Sequence, residues 1–217
     1  MYNPKHFQTE DIAQMHGLMR QYSFATLVTE HDGAPYATHL PFLLDERRGA
    51  YGALLGHLAR GNPQWRDLAA GQPALAIFQG PHAYVSPSWY GVSPSVPTWN
   101  YAVVHAYGTA RLVEDRAELH AMLGALVDQH EAAFECPWRM ELPEDYMDRM
   151  VRGVVGFTIE IARLEGKLKL SQNRGADDRR RVVDALEHGG DPLGRETAGL
   201  MRAVDERRAD LGDKVTR

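Results

Sequence analysis

The sequence predicts a mainly β fold with added helices: an antiparallel barrel with helices packed outside it and a C-terminal helical appendage. Three observations predict it. About six β-rich segments are separated by short helices and turns. The turns carry the residues that hairpins require, as in His31-Asp32-Gly33-Ala34. The tail changes to polar, helix-forming composition, which divides the chain into a barrel part, 1–174, and an appendage, 175–217.

Taken in order, MYNPKHF reads as extended, and Thr9 as an N-cap with Glu10 and Asp11 in the first turn, where the helix dipole favours acids. Ile12, Met15, Leu18 and Met19 recur at helical spacing, so a short helix should run to about Gln21. Phe24 to Thr29 is β-rich, Asp32-Gly33 supplies a type I′ turn, and a second strand follows over 36–44. Glu46-Arg47-Arg48-Gly49 reads as the next turn and 50–58 as a third strand. Asn62-Pro63 predicts a helix over 62–70, because asparagine caps free amides and proline in the first turn forfeits no bond. Gly71 closes it. Residues 74–78 and 82–85 read as a hairpin around Gly80-Pro81, and 86–97, with three prolines and Gly91, as an aromatic-rich loop. A long strand over 98–113 precedes a helix over 115–134 that buries Leu119, Met122, Leu123, Leu126 and Val127. A short helix over 144–151 and a last long strand over 155–170 complete the barrel part. The tail reads as two polar helices, 176–188 and 195–208, joined by Gly189-Gly190-Asp191-Pro192.

Composition narrows the function classes. At 44% hydrophobic and 24% charged residues, wholesale disorder is excluded. A net charge of −5 argues against bulk attraction to nucleic acid or anionic membrane. Cys136 is the single cysteine, so no internal disulfide forms. No apolar run approaches the ~18 residues of a transmembrane helix, and the N-terminus lacks a signal-peptide pattern, so a cytoplasmic protein is expected. His39, His57, His82 and His105 lie on or near different strands, but none pairs at i, i+4 and no acid accompanies them, so no metal site is expected. Gly91-Val-Ser-Pro-Ser95 lacks the second glycine of a nucleophile elbow, and no Walker or Rossmann pattern occurs. No catalytic residue is assigned.

Two features could bind a ligand. In Gly56-His57-Leu58-Ala59-Arg60-Gly61-Asn62-Pro63-Gln64-Trp65 a strand ends in a turn flanked by His57 and Arg60, and a capped helix opens at once. Helix amides and a guanidinium together favour phosphate; the alternative is an ordinary turn with a solvated Arg60. The second feature is Trp89, Tyr90, Trp99 and Tyr101, four rings within thirteen residues, which suit a planar heterocycle, a subunit interface or plain core packing. The tail could be taken for a DNA-reading helix pair, and Arg179-Arg180-Arg181 is a local basic cluster. Yet residues 176–217 carry nine Lys/Arg against ten Asp/Glu, which reads as a solvated face.

Six motifs in order resemble the PaiB family, also called FMN-binding negative transcriptional regulators: MYNPKHF, ATHLPFLL (37–44), GHLARGNPQW (56–65), FQGPHAYVSPSWY (78–90), VPTWNYAVVHAYG (96–108) and KLKLSQNR (167–174). The resemblance covers about residues 1–208, with Gly61 departing from the family's more usual alanine. It implies an FMN-binding split barrel and a homodimer with flavin at the subunit interface. It further implies that Thr38, His39 and Leu40 run beside the isoalloxazine, with Leu40 and Pro41 over its face. Arg60, Asn62 and Gln64, near His57, would hold the phosphate. Trp99 and Tyr101 would approach from the partner, and Lys169, Gln172 and Asn173 would close the pocket. Three function classes stay open. One is a flavin-binding regulator acting through DNA or a partner protein. The others are an FMN-dependent oxidoreductase related to pyridoxamine-phosphate oxidases or flavin reductases, and a haem-binding split barrel.

Overall fold

The computed structural model describes residues 1–215, with side chains through Arg207. Its elements are β1 (Gln8–Thr9), α1 (Ile12–Gln21), β2 (Phe24–His31), β3 (Ala34–Pro41), β4 (Leu43–Asp45), β5 (Ala53–Ala59), α2 (Gln64–Ala69), β6 (Pro73–Val85), β7 (Thr98–Val113), α3 (Arg116–Glu131), α4 (Glu144–Arg152), β8 (Val154–Lys169), α5 (Ala176–His188) and α6 (Pro192–Val215). One sheet has the order β3-β2-β6-β7-β8-β5-β4, with β1 added on β8. The order is open. Its two ends, β3 and β4, are consecutive in the chain and separated by Phe42 alone, so the barrel is split there. Among the described residues no helix is long and apolar enough to cross a membrane.

The chain divides into two compact units, and β6, β7 and β8 pass through both. The larger comprises Asp11–Phe78 and Val104–Glu165. Here β2 and β3 form the expected hairpin, with Asp32 and Gly33 at φ 50° and 77°, as a type I′ turn demands. Phe42 is fully buried, with ring centroids 5.7 Å from Phe78 and 6.1 Å from Phe157. Gly56 makes room for this cluster, since a Cβ there would lie 3.1 Å from the Phe157 ring and 3.2 Å from Leu40. Buried side chains of this size each contribute about 1.5–3 kcal/mol. Asp11 caps α1 by accepting from the Gln14 amide at 3.0 Å, and α1 buries Met15, Leu18 and Met19. Asp115 caps α3, whose Leu119 and Met122 cluster with Val113.

The smaller unit comprises Met1–Glu10, Gln79–Val103 and Gly166–Arg217. Its β1 pairs antiparallel with β8, Gln8 opposite Lys167. Here α5 and α6 pack on each other, with Val182, Val183, Leu186, Ala198 and Met201 buried.

Several local expectations are corrected. MYNPKHF ends in a 3-10 turn over Lys5–Phe7, and Thr9 lies in β1, leaving the cap to Asp11. The strand expected over 36–44 is two strands, because the Phe42 amide donates to the Ser23 carbonyl and turns its side chain into the core. The hairpin expected at Gly80-Pro81 is one continuous strand. Proline lacks an N–H, but β6 pairs with β2 only over Leu75–Ile77, so Pro81 forfeits no bond on that side. The last helix begins at Pro192, three residues before the expected Arg195; its expected last residue, Arg208, lies inside α6, but its side chain is outside those described.

Candidate functional site

The turn between β5 and α2 is built as a network of polar groups in the larger unit. Asn62 Oδ1 accepts from the Gln64 amide at 3.0 Å, while its Nδ2 donates to Thr38 Oγ1 at 2.8 Å. That bond ties the turn to β3. On β3, His39 shares a 3.0 Å hydrogen bond with Thr26 across the hairpin. Thr38 is half-buried and His39 exposed, whereas Leu40 points into the core at 5% exposure. Because β3 ends the strand order, its backbone edge away from β2 has no strand partner among the described residues.

The α2 helix is shorter than its sequence promises. It starts at Gln64, with Pro63 at the cap position and no side-chain cap bond there. Gln64 itself is wholly buried. Its Nε2 lies within hydrogen-bond distance of the Leu27 carbonyl, Thr29 Oγ1 and the Tyr36 carbonyl, joining α2 to β2 and β3, while Oε1 has no partner among the described residues. Next to it Asp67, also buried, accepts from Thr29 at 3.2 Å and pairs with His31 Nδ1 at 2.9 Å. The hydrogen bond to Asp67 raises the His31 pKa above its ordinary value, against the opposing effect of burial. Arg60 is exposed, but Nε and Nη2 donate to the Arg152 and Val154 carbonyls at 2.8 and 2.9 Å.

His57 faces elsewhere. With Pro41 it lines an apolar groove of about 520 Å3 whose other walls include Leu126, Trp138, Met147 and Met150. Burial lowers its pKa and so favours neutral imidazole, and its buried Nδ1 has no partner among the described residues. This groove was not legible in the sequence, which predicts only a short helix over 144–151 and carries no sign that it faces His57.

The remaining expected site residues belong to the smaller unit. Trp99 is 54% exposed and meets Tyr84 edge-on at 6.0 Å and His82 at 6.2 Å. Tyr101 is half-buried beneath the Lys167 ammonium, 5.4 Å from its ring. These rings border a shallow hollow of about 320 Å3 with Gln79 and Val103. Lys169 Nζ donates to Thr98 Oγ1 and the Trp99 carbonyl. Gln172 closes its own turn, accepting from the Leu170 amide at 2.8 Å and donating to the Leu168 carbonyl, while Asn173 is exposed. The structure thus brings Thr38, Asn62 and Gln64 together in one unit and Trp99 and Lys169 in the other. His57 stands apart on the apolar groove. No cluster of three or more potential metal ligands occurs among the described residues.

The chain is similar to known proteins in sequence and in fold. A family model described as "Putative FMN-binding domain" matches residues 1–163. Protease synthase and sporulation protein PAI 2 of Bacillus subtilis is 38% identical over 203 residues, covering 93% of this chain and 96% of that protein. The FAD and haem binding protein of Mycobacterium smegmatis superposes with a TM-score of 0.60 at 20% identity, over 80% of this chain and 78% of that one. Flavocytochrome Anf3 of Azotobacter vinelandii gives 0.59 at 15% identity, over 80% and 75% of the two chains. These two likenesses concern the fold.

Proposed function

The chain belongs to the PaiB family of FMN-binding split-barrel proteins, and from that premise we propose that FMN lies along the open edge of β3 and that the protein acts in regulation through its flavin state rather than through its own contact with DNA. The carrying observation is the unpaired edge of β3 beside a polar turn tied to it through Asn62 and Thr38. The donor set fits a flavin. Backbone N–H and C=O groups on an open strand edge complement the ring's alternating acceptors and donors, and Thr38 and His39 add polar side chains there. In this reading Arg60 and Asn62 contact the phosphate, Arg60 with the guanidinium N–H groups that the 152–154 backbone leaves over. Gln64 holds α2 against β2 and β3 and so fixes the turn. Leu40 backs the ring from within the core, and the exposed ring of Trp99 and the half-buried ring of Tyr101 cover a flavin from a partner subunit, the protein being a homodimer. Residues 1–174 carry the cofactor and the helices from 175 onward form an appendage. An exposed free Cys136 suits the reducing cytoplasm. When bound, FMN supplies one- and two-electron redox chemistry that no side chain offers.

Comparing FMN with riboflavin tests the placement. Losing a charge-assisted bond at Arg60→Ala should weaken FMN about 10- to 150-fold while riboflavin affinity stays level. Equal losses for both flavins, or none, would reject a phosphate at this turn. A second reading, haem binding, is favoured by one observation: a neutral His57 on an apolar groove. A Soret band that disappears in His57→Ala would establish it, and a pure flavin spectrum after reconstitution with both groups would exclude it.

A further inference from the structure

A second polar cavity lies entirely within the smaller unit, whereas the Arg60–Gln64 turn belongs to the larger, and it is lined in part by Lys169 and Asn173, which the family resemblance assigns to closing the flavin pocket. Its volume is about 200 Å3, below the ~300–1,000 Å3 usual for a drug-sized ligand, so it suits a small acid or one headgroup. Two cations border it, Lys169 and Arg174, with His6 at the rim, and no carboxylate is among the lining residues. Thr98, Asn100 and Ser171 supply hydroxyl and amide groups, and Phe7 and Tyr90 the aromatic walls.

This constellation is rigidly held. Asn100 is wholly buried and exchanges hydrogen bonds with Ser171, 3.0 Å from its amide nitrogen and 3.1 Å to its oxygen. Ser171 is 4% exposed and sits at φ 64°, a left-handed conformation that non-glycine residues seldom hold without surrounding constraint. It lies at the sharp turn after β8 that brings Arg174 back toward the cavity, the Arg174 amide donating to the Ser171 carbonyl at 2.9 Å. The Arg174 guanidinium stacks 4.2 Å from the Tyr90 ring centroid, which fixes its plane. Asp178 interacts electrostatically with Arg174, while its Oδ1 accepts from the Gly91 amide and from Arg181. Two of the three Lys169 N–H groups go to neutral acceptors, Thr98 and the Trp99 carbonyl, so its charge is not neutralised by them. Burial and the neighbouring Lys167 both lower its pKa, which is the cost of holding a cation here without an anion.

We propose that this cavity binds the oxyanion of a small molecule, a carboxylate or a phosphate monoester, between Lys169 and Arg174. Arg174 contributes a forked guanidinium, Lys169 a point charge, and the Thr98 hydroxyl, which accepts from Lys169 and keeps its own O–H, orients the oxygens. The anion raises the Lys169 pKa back toward its ordinary value on binding.

The test is a titration of the purified full-length protein, with and without FMN, against inorganic phosphate and acetate, read by calorimetry and by backbone amide resonances. Saturable binding of either anion is expected, with shifts confined to residues about 98–100 and 169–174. Arg174→Gln should weaken it about 10- to 150-fold and Arg174→Lys less. No saturable binding by the wild-type protein, or shifts at the Arg60–Gln64 turn instead, would overturn the proposal without a variant having to fold. Unchanged affinity in a folded Arg174→Gln would do the same. Anion binding that FMN abolishes would identify the oxyanion as the flavin's own phosphate and refute the phosphate placement at Arg60. Binding that persists with FMN present would identify it as a substrate's or effector's, and in both cases the cavity stands.

Discussion

Gln64 and His31 share one buried network, joined through Thr29 and Asp67. The family resemblance implies a phosphate contact at Gln64, in the turn that opens α2. The fold buries its amide against two strands, which ties the six-residue α2 to the sheet. Nothing in local spacing distinguishes these two uses, since the partners Leu27, Thr29 and Tyr36 lie 28 to 37 residues away. Asn62 differs in part: its capping bond to the Gln64 amide is local and was legible, whereas its bond to Thr38, 24 residues away, was not. His31 makes the network sensitive to pH. Its folded pKa lies above 6.5 chiefly because Asp67 accepts its hydrogen bond. Protonated His31 therefore stabilises the native state below pH 6.5, and that contribution is lost as pH rises through the folded value. Proton NMR should place the imidazole titration above 6.5, and His31→Asn should flatten the decline of stability on the alkaline side. A His31 titration at or below 6.5 would refute the assignment.

Elements with strong periodicity were legible in the sequence, and those set by sheet partners were not. Thr98–Val113 and Ala176–His188 match their expected bounds, since alternation and capping signals are local. Gly80-Pro81 misleads for the opposite reason, because whether proline breaks a strand depends on which neighbour needs its N–H. Glycine raises the same issue. Gly61 has open space around its missing Cβ and no positive φ, so Gly61→Ala should stabilise by about 0.4–1 kcal/mol by restricting the unfolded chain. Gly108, on β7, is opposite in kind, for a Cβ there would lie inside the van der Waals shell of the Glu160 backbone oxygen on β8. Backbone cannot yield as a side-chain tip can, so Gly108→Ala should cost about 3 kcal/mol. Urea denaturation of the two variants should move the midpoints in opposite directions. Equal midpoints would show that β7 and β8 have more freedom here than their approach implies.

At the scale of the molecule, charge bears on the proposal that any regulation is indirect. Each chain carries −5, so a dimer carries −10, twice that value, and repels polyanions at long range. The one local exception in the sequence is Arg179-Arg180-Arg181, and the structure neutralises each member. Arg179 pairs with Asp205 at 2.9 Å, Arg180 with Asp177 at 2.7 Å, and Arg181 with Asp178. The first of these links α5 to α6, so the cluster serves helix packing, and freeing it for phosphates would uncouple the pair. A DNA-tracking surface needs cations that are not already paired, because affinity grows with the counterions each one releases. The purified protein, its mass first measured by light scattering, should therefore bind promoter and random DNA equally weakly at physiological salt. Lowering the salt should raise both affinities together, without opening a gap between them. Tight, promoter-selective binding that vanishes in the triple Arg→Ala variant, with α5 and α6 still folded by circular dichroism, would show that those arginines exchange their carboxylate partners for phosphates and that the chain reads DNA itself.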